Sequence, residues 1–82
     1  MKALICGISG QDGAYLARHL LGLGYEVVGT SRDAQLNNFE KLHVLGIFDG
    51  LSVDSMSLSD FRSVIQTLMK HEPDEVYNLA GQ

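Results

Sequence analysis

The sequence has no tryptophan, one proline and one cysteine among its 82 residues. The single cysteine, Cys6, excludes an internal disulfide framework and a zinc site made of four cysteines. No apolar run approaches the ~20 residues that a helix needs to cross a bilayer, and the start of the chain (MKALICGIS) lacks the apolar segment and cleavage site of a secretory signal. We therefore expect a cytoplasmic protein without a membrane partner.

Basic residues are also scarce, with six Lys and Arg against ten Asp and Glu, and the net charge is −4. Nucleic acids and anionic membranes bind clusters of Lys and Arg, so the charge argues against both as partners. His19, His43 and His71 lack the spacing of metal ligands, and no metal site is predicted. An apolar content of 45% nevertheless predicts a folded chain.

Short β-rich runs alternate with helical patterns along the chain. Strands are predicted at 2–6, 25–30, 51–56 and 75–80, and helices at 13–22 and 37–45. A third helix is predicted after Ser59 as its N-cap, because apolar residues follow at a helical period. They are Phe61, Val64, Ile65, Leu68 and Met69. We assign Met56, Phe61 and Met69 to the core.

The order β-α-β-α-β-α-β predicts an α/β fold. Right-handed crossovers between parallel strands then give the amino-terminal half of a Rossmann-like, doubly wound parallel sheet, with strand order 3-2-1-4. Strand 4 should form an edge of this sheet. Such folds bind ligands at the carboxyl ends of the strands, where the connections reverse direction. Residues 7–13 and 79–82 should therefore converge.

The main motif is a G-x-x-G-x-x-G loop at Gly7, Gly10 and Gly13, between the first strand and the first helix. Glycines allow the backbone to turn tightly and to approach a pyrophosphate, which the amide groups at the start of the helix then bind. The alternative is a glycine-rich turn without a ligand. The spacing differs from G-x-G-x-x-G, and the loop lacks the lysine of a P-loop. The predicted ligand is the pyrophosphate of a dinucleotide.

The type of dinucleotide is read after the second strand, in Thr30-Ser31-Arg32-Asp33. An acid about 20 residues past the glycines binds a ribose 2′-hydroxyl, whereas an arginine accommodates a 2′-phosphate. Arg32 with Ser31 can form a small anion site, which favours NADP. Asp33 keeps NAD open as the alternative, and Arg32 could instead be a solvated surface residue.

The segments GISGQDGAYLARHLLGLGYEVVGTSRD and PDEVYNLAGQ resemble the start of the extended short-chain dehydrogenases/reductases. Within that superfamily they most closely resemble the GDP-mannose 4,6-dehydratases, because the Gln11-Asp12 pair is typical of that group. The resemblance covers nearly the whole chain and is weak at 34–54. It implies that residues 1–82 are the amino-terminal part of an NAD(P)-binding Rossmann domain, and that the remainder of the enzyme lies beyond Gln82.

The resemblance also implies a set of cofactor-binding residues. Those around the pyrophosphate and the adenosine ribose are Gly7, Ser9, Gly10, Gln11, Asp12 and Gly13, with Arg32 at the 2′-phosphate. Ser57 and Leu58 stand at the adenine-binding pair, and Leu79, Ala80 and Gly81 pass the ribose on the nicotinamide side. The chain departs from the family pattern at Cys6, which replaces Thr, at Ser57, which replaces Asp, and at Gly81, which replaces Ala.

The activity that the resemblance implies is that of an NADP-dependent lyase, which converts GDP-mannose to GDP-4-dehydro-6-deoxymannose. The cofactor supplies reversible hydride transfer, and acid–base groups of the protein move the protons. The family's catalytic Tyr-x-x-x-Lys is not in this sequence, so no catalytic residue is predicted and the chain supplies cofactor placement. The complete enzyme is expected to bind a nucleotide sugar and to form a homo-oligomer.

Two other functions share this first half. One is a nucleotide-sugar epimerase or reductase of the same superfamily. The other is a non-catalytic sensor module that binds a dinucleotide without further chemistry.

Overall fold

The structure, a computed structural model, describes residues 1–32, 34 and 39–79. Within these ranges the strands are β1 (Lys2–Cys6), β2 (Glu26–Ser31), β3 (Ser52–Ser55) and β4 (Glu75–Asn78). The helices are α1 (Gln11–Gly22), α2 (Glu40–Val44) and α3 (Phe61–His71), and a single 3₁₀ turn (Phe48–Gly50) precedes β3. The alternation that the sequence predicts is confirmed.

The strands form one parallel sheet in the order β3-β2-β1-β4, as predicted. Cys6 at the end of β1 lies opposite Thr30 of β2 and Asn78 of β4, and Thr30 lies opposite Asp54 of β3. This register brings the carboxyl ends of all four strands to one edge of the sheet. β4 is an outer strand, which confirms the predicted edge.

Side chains alternate between the two faces of the sheet and form two cores. The first core joins Ala3, Ile5 and Val27 to Ala14, Ala17 and Leu20 of α1 and to Leu42 of α2. The second core joins Leu4, Cys6, Val28 and Met56, and packs against Val64 and Leu68 of α3. The described chain therefore has three layers, with α1 and α2 on one face and α3 on the other. None of its helices has the length and hydropathy to cross a bilayer.

Some helix boundaries differ from the prediction. α1 begins at Gln11, two residues early, because Gly10 is extended and serves as the N-cap. α2 is shorter than the predicted helix and begins at Glu40. Phe39, just before it, has a left-handed backbone (φ 50°) that a continuous helix cannot contain. Asn37 and Asn38 of the predicted helix lie outside the described residues.

The N-cap of α3 is Asp60, so the prediction of Ser59 is wrong. The Asp60 carboxylate accepts a hydrogen bond from the Arg62 amide (3.0 Å). The Ser59 hydroxyl lies 3.0 Å from the Ser57 hydroxyl instead. An aspartate at the N-cap also places a negative charge at the positive end of the helix dipole.

The apolar stripe of α3 is only partly buried. Val64 and Leu68 pack against the sheet, and Met56 is buried as predicted. Phe61 and Met69 are 79% and 72% exposed, so their assignment to the core is wrong. They lie on α3 to the side of Val64 and Leu68. The face of α3 that contacts the sheet is narrower than the apolar stripe, so the edges of the stripe stay exposed.

Candidate functional site

An open cleft of about 430 Å³ lies at the carboxyl edge of the sheet, where the fold predicts a ligand. From β1 and the loop after it, the cleft is lined by Cys6, Gly7, Ser9 and Gly10. From the other strand ends, it is lined by Thr30, Ser31, Arg32, Met56, Leu58 and Leu79. Of these ten residues, three belong to the predicted glycine loop, three are the last residues of β1 and β2, and four follow β2, β3 and β4. The ends of all four strands therefore meet at the cleft.

The glycine loop turns back onto the end of β2. Gly7 has a positive φ of 88°, which favours glycine. The amides of Gly7 and Ile8 both donate to the Thr30 carbonyl, at 3.0 and 3.1 Å. Ile8 is fully buried in the first core. Backbone hydrogen bonds and a buried side chain thus fix the start of the loop.

Gly13 is required by close packing. A Cβ atom at this position would lie 2.5 Å from the Gly7 carbonyl oxygen and 3.1 Å from the Ile8 Cα atom. Both neighbours are backbone atoms that cannot move aside. Glycine at this position lets the first turn of α1 lie directly against the loop, as the motif predicts.

Gly10 has neither constraint. Its φ is −80°, and a Cβ atom there would have the Gly7 carbonyl oxygen as its nearest neighbour, at an ordinary 3.6 Å. The space beside it is part of the cleft. A side chain at Gly10 would fill this space. Because glycine leaves it open, a ligand can approach the backbone closely at this point.

Amide groups at the start of α1 are available beside Gly10. The first intrahelical bond runs from the Ala14 amide to the Gly10 carbonyl (3.0 Å), and no side chain caps the helix. Among the described residues, no acceptor bonds the amides of Gln11, Asp12 or Gly13. Such amides, at the positive end of a helix dipole, bind phosphate groups. The loop therefore fits a pyrophosphate.

Arg32 gives the cleft a positive charge in a protein whose net charge is −4. Its side chain is exposed and makes no ion pair with any described residue. No acid occurs among the described residues that line the cleft. A guanidinium with Ser31 beside it suits a phosphate monoester. Asp33, on which the NAD alternative rests, lies outside the described residues.

The predicted adenine pair is only partly in the cleft. Leu58 lines it, but Ser57 does not. The Ser57 amide donates to the Ser63 hydroxyl (3.0 Å), and its own hydroxyl lies 3.0 Å from that of Ser59. Met56, which the resemblance does not single out, lines the cleft beside Leu58. This part of the cleft is apolar and suits the face of a base.

The remaining predicted residues are distributed along the cleft and beyond it. Leu79 lines the cleft, and its amide donates to the Cys6 carbonyl (2.9 Å). Gln11 lies in a second groove, of about 240 Å³, between α1 and α2. Asp12 belongs to the first turn of α1 and does not line the cleft. Ala80 and Gly81 lie outside the described residues.

Gly29, in the middle of β2, was not predicted as a site residue. A Cβ atom there would collide with the Ile8 side chain, lying 2.7 Å from the Ile8 Cβ. Glycine in β2 thus makes room for the side chain that anchors the glycine loop. A glycine inside a predicted strand is the sequence signal of such a close approach.

Cys6 lines the cleft but is 3% exposed. Burial raises the pKa of its thiol, and a hydrogen bond with Thr30 opposes that shift. The thiolate is the nucleophilic form of cysteine, so a raised pKa argues against a nucleophile here. The described residues also contain no cluster of three metal-ligating side chains.

Solved structures share this fold. The enzyme WbmH of Bordetella bronchiseptica, solved in complex with NAD+, is 32% identical with a TM-score of 0.76, and the match covers 99% of this chain and 26% of WbmH. UDP-glucose 4-epimerase of Thermotoga maritima, solved with UDP-glucose, has a TM-score of 0.79 at 23% identity, covering 100% of this chain and 25% of the epimerase. The epimerase likeness concerns the fold alone.

Curated relatives are more similar in sequence. GDP-mannose 4,6-dehydratase of Vibrio cholerae is 43% identical over 99% of this chain, and GDP-mannose 4,6 dehydratase 2 of Arabidopsis thaliana is 41% identical over 98%. The chain spans 23% of the length of each of these relatives. The family model described as GDP-mannose 4,6 dehydratase matches residues 4–82. The chain therefore belongs to the GDP-mannose 4,6-dehydratase family.

Proposed function

We propose that this chain is the cofactor-binding segment of an NADP-dependent nucleotide-sugar 4,6-dehydratase that acts on GDP-mannose. The observation that carries the proposal is the edge of the sheet where Gly10 and Arg32 line one cleft, with the available amides of α1 next to Gly10. Two sites for phosphate at one edge match a dinucleotide that bears both a pyrophosphate and a 2′-phosphate.

Each part of the cofactor has a proposed place. The pyrophosphate lies over Gly10 and the amides of the first turn of α1, and the 2′-phosphate lies at Arg32. The adenine lies against Met56 and Leu58, and the nicotinamide half passes Leu79, followed by Ala80 and Gly81. When bound, the nicotinamide supplies reversible hydride transfer, while these residues bind and orient it.

NADP is preferred over NAD because of charge. WbmH, which shares this fold, was solved with NAD+, so the fold by itself does not require a 2′-phosphate. Arg32 can select that phosphate, because a charge-assisted hydrogen bond to phosphate is about twice as strong as a neutral one. The assignment of GDP-mannose rests on the names of the relatives, whereas an epimerase, a reductase or a sensor module would use the same cleft for its cofactor.

The test is a pair of titrations of the chain, with NADPH and with NADH, followed by cofactor fluorescence. We expect NADPH to bind at least ~10-fold more tightly, since a hydrogen bond to a charged group contributes about 1.5–3 kcal/mol. Arg32→Ala should remove this preference and leave NADH binding unchanged.

Arg18→Ala is the matched control for this test, because it removes an equal charge from a side chain that lies over the Tyr15 ring, outside the cleft. It should keep the preference for NADPH. Equal binding of the two cofactors by the unaltered chain would contradict the NADP assignment, and binding of neither would contradict the whole proposal.

A further inference from the structure

Arg32 lies between two hydrogen bonds that lead to consecutive residues at the end of β3. Just before it, the Ser31 carbonyl accepts from the Met56 amide (3.0 Å). Two residues after it, the Ala34 amide donates to the Ser55 hydroxyl oxygen (3.1 Å). The backbone that carries Arg32 is therefore attached to β3 on both sides.

The Ser55 hydroxyl differs from the other attachment because it belongs to a side chain. Ser55 is the last residue of β3, is exposed, and pairs with Ser31 in the sheet. Its side chain is exposed at the end of the strand, where its hydroxyl oxygen accepts the hydrogen bond from the Ala34 amide. Truncation of this side chain therefore removes a hydrogen bond to the residue two positions after Arg32.

Ala34 is attached on its other side as well, since it packs against the first core. A loop fixed at both ends presents an arginine in fewer conformations than a free loop. The segment that carries this arginine then loses less conformational entropy when a ligand binds, and preorganisation of this kind increases affinity. The gain applies to whatever Arg32 binds and not to the ligand groups over Gly10.

We propose that Ser55 is a positioning residue for cofactor choice, which holds the segment that carries Arg32 so that the guanidinium meets the 2′-phosphate. The inference rests on the proposed function, because it requires that Arg32 contacts that phosphate. The carboxyl end of β3 then sets the preference between NADPH and NADH without contacting the group that distinguishes them.

The experiment compares the ratio of the dissociation constants for NADH and NADPH in three variants. In Ser55→Ala the ratio should fall about three- to tenfold, as expected for one neutral hydrogen bond, while the affinity for NADH changes less than twofold. Ser55→Thr keeps a hydroxyl and should restore the ratio. Ser52→Ala, at the exposed first residue of the same strand, is the matched control and should keep the ratio.

A general loss of structure would weaken both cofactors equally, so the ratio separates positioning from folding. A thermal melt of each variant confirms that it is folded, as expected for an exposed side chain. If the unaltered chain prefers NADPH and Ser55→Ala keeps the full ratio, or if Ser52→Ala loses it equally, this inference is wrong and the proposed function stands. If the unaltered chain binds neither cofactor, the proposed function fails and this inference fails with it. If it binds both equally, the NADP assignment fails and this inference fails with it.

Discussion

Gly10 is the residue of the glycine loop at which the fold itself does not require glycine. Gly7 has a left-handed backbone, and Gly13 lies against the Gly7 carbonyl. At Gly10 the backbone is extended and a Cβ atom meets nothing closer than 3.6 Å. A glycine usually carries an entropic cost in the folded state, so its presence at an unconstrained position indicates a role outside the fold. The cleft beside it gives that role a place.

Gly10→Val should therefore abolish NADPH binding while the chain stays folded. The valine side chain would occupy the space over the amides of α1, and we expect the affinity to fall by at least ~100-fold, the effect of losing two or more charge-assisted hydrogen bonds. The loss in stability should be about 1 kcal/mol or less, as for changes at an N-cap. NADPH titration and a thermal melt measure the two effects.

Gly22→Ala is the control for this substitution, because a Cβ atom there meets no atom within 4 Å and the residue lies at the other end of α1. It should leave the NADPH affinity unchanged. Undiminished binding by Gly10→Val would show that the pyrophosphate does not lie over Gly10.

At the scale of elements, α3 is attached to the edge strand β3 by a small polar cluster. One oxygen of the Asp54 carboxylate lies 2.9 Å from His71 Nε2 and 3.1 Å from Lys70 Nζ, and the other accepts from the Ser55 amide (2.9 Å). The hydrogen bond with His71 is the largest cause of a lowered pKa at Asp54. Lys70 and the Ser55 amide add to it, and partial burial opposes it. The ionised carboxylate is therefore favoured in the folded state.

A lowered pKa in the folded state means that the Asp54 cluster stabilises the fold above the ordinary aspartate pKa of ~3.9 and ceases to do so as the pH falls through the folded value. We expect the free energy of unfolding to fall by up to about 1 kcal/mol between pH ~5 and the lowered pKa of Asp54, because the carboxylate and its two partners are partly exposed. Urea denaturation at pH 6 and pH 3 measures the loss. Asp54→Asn should reduce the pH dependence, whereas Asp49→Asn, in the exposed 3₁₀ turn, should not. An identical pH dependence in Asp54→Asn would rule out this contribution.

The elements that local patterns define were predicted well. A short apolar run predicts the first strand, and a helical period followed by glycine predicts α1 and its end. The second strand follows directly, so each signal lies within a few residues of the element it predicts. α2 was predicted too long because Phe39 has a left-handed backbone and is buried in the first core, and the helical pattern of the local sequence signals neither. Phe61 and Met69 were assigned to the core because a helical period gives a stripe but not its covered width.

The position of the cleft was predicted from the strand order and the glycine spacing, whereas the residues that line it were predicted less completely. Gly29 was missed because its reason is a contact with Ile8, which is distant in sequence. Ser57 was chosen by resemblance, yet the connection after β3 brings Met56 and Leu58 to the cleft. Which residues of a connection face a cleft depends on its path over the sheet, and local sequence does not determine that path.

For the whole molecule, the cleft exists only when the sheet is assembled. Its lining comes from the ends of all four strands, from Gly7 after β1 to Leu79 after β4. β3 and β4 are the outer strands and have four residues each. Each pairs with a neighbour on one side only, so these two strands make the fewest hydrogen bonds within the sheet. A ligand that contacts all four strand ends therefore binds the folded chain and not the unfolded one, and binding is linked to global stability.

NADPH should consequently raise the melting temperature of the chain. At 100 times its dissociation constant a ligand adds about 2.7 kcal/mol. In a domain of this size each kcal/mol shifts the midpoint by about 4–8 °C, so the total shift should be roughly 10–20 °C. Differential scanning fluorimetry at increasing NADPH concentration measures it. In Arg32→Ala the NADPH shift should fall to the NADH value, because only the 2′-phosphate contact is lost. A midpoint that does not respond to either cofactor would mean that the strand ends do not form one binding site.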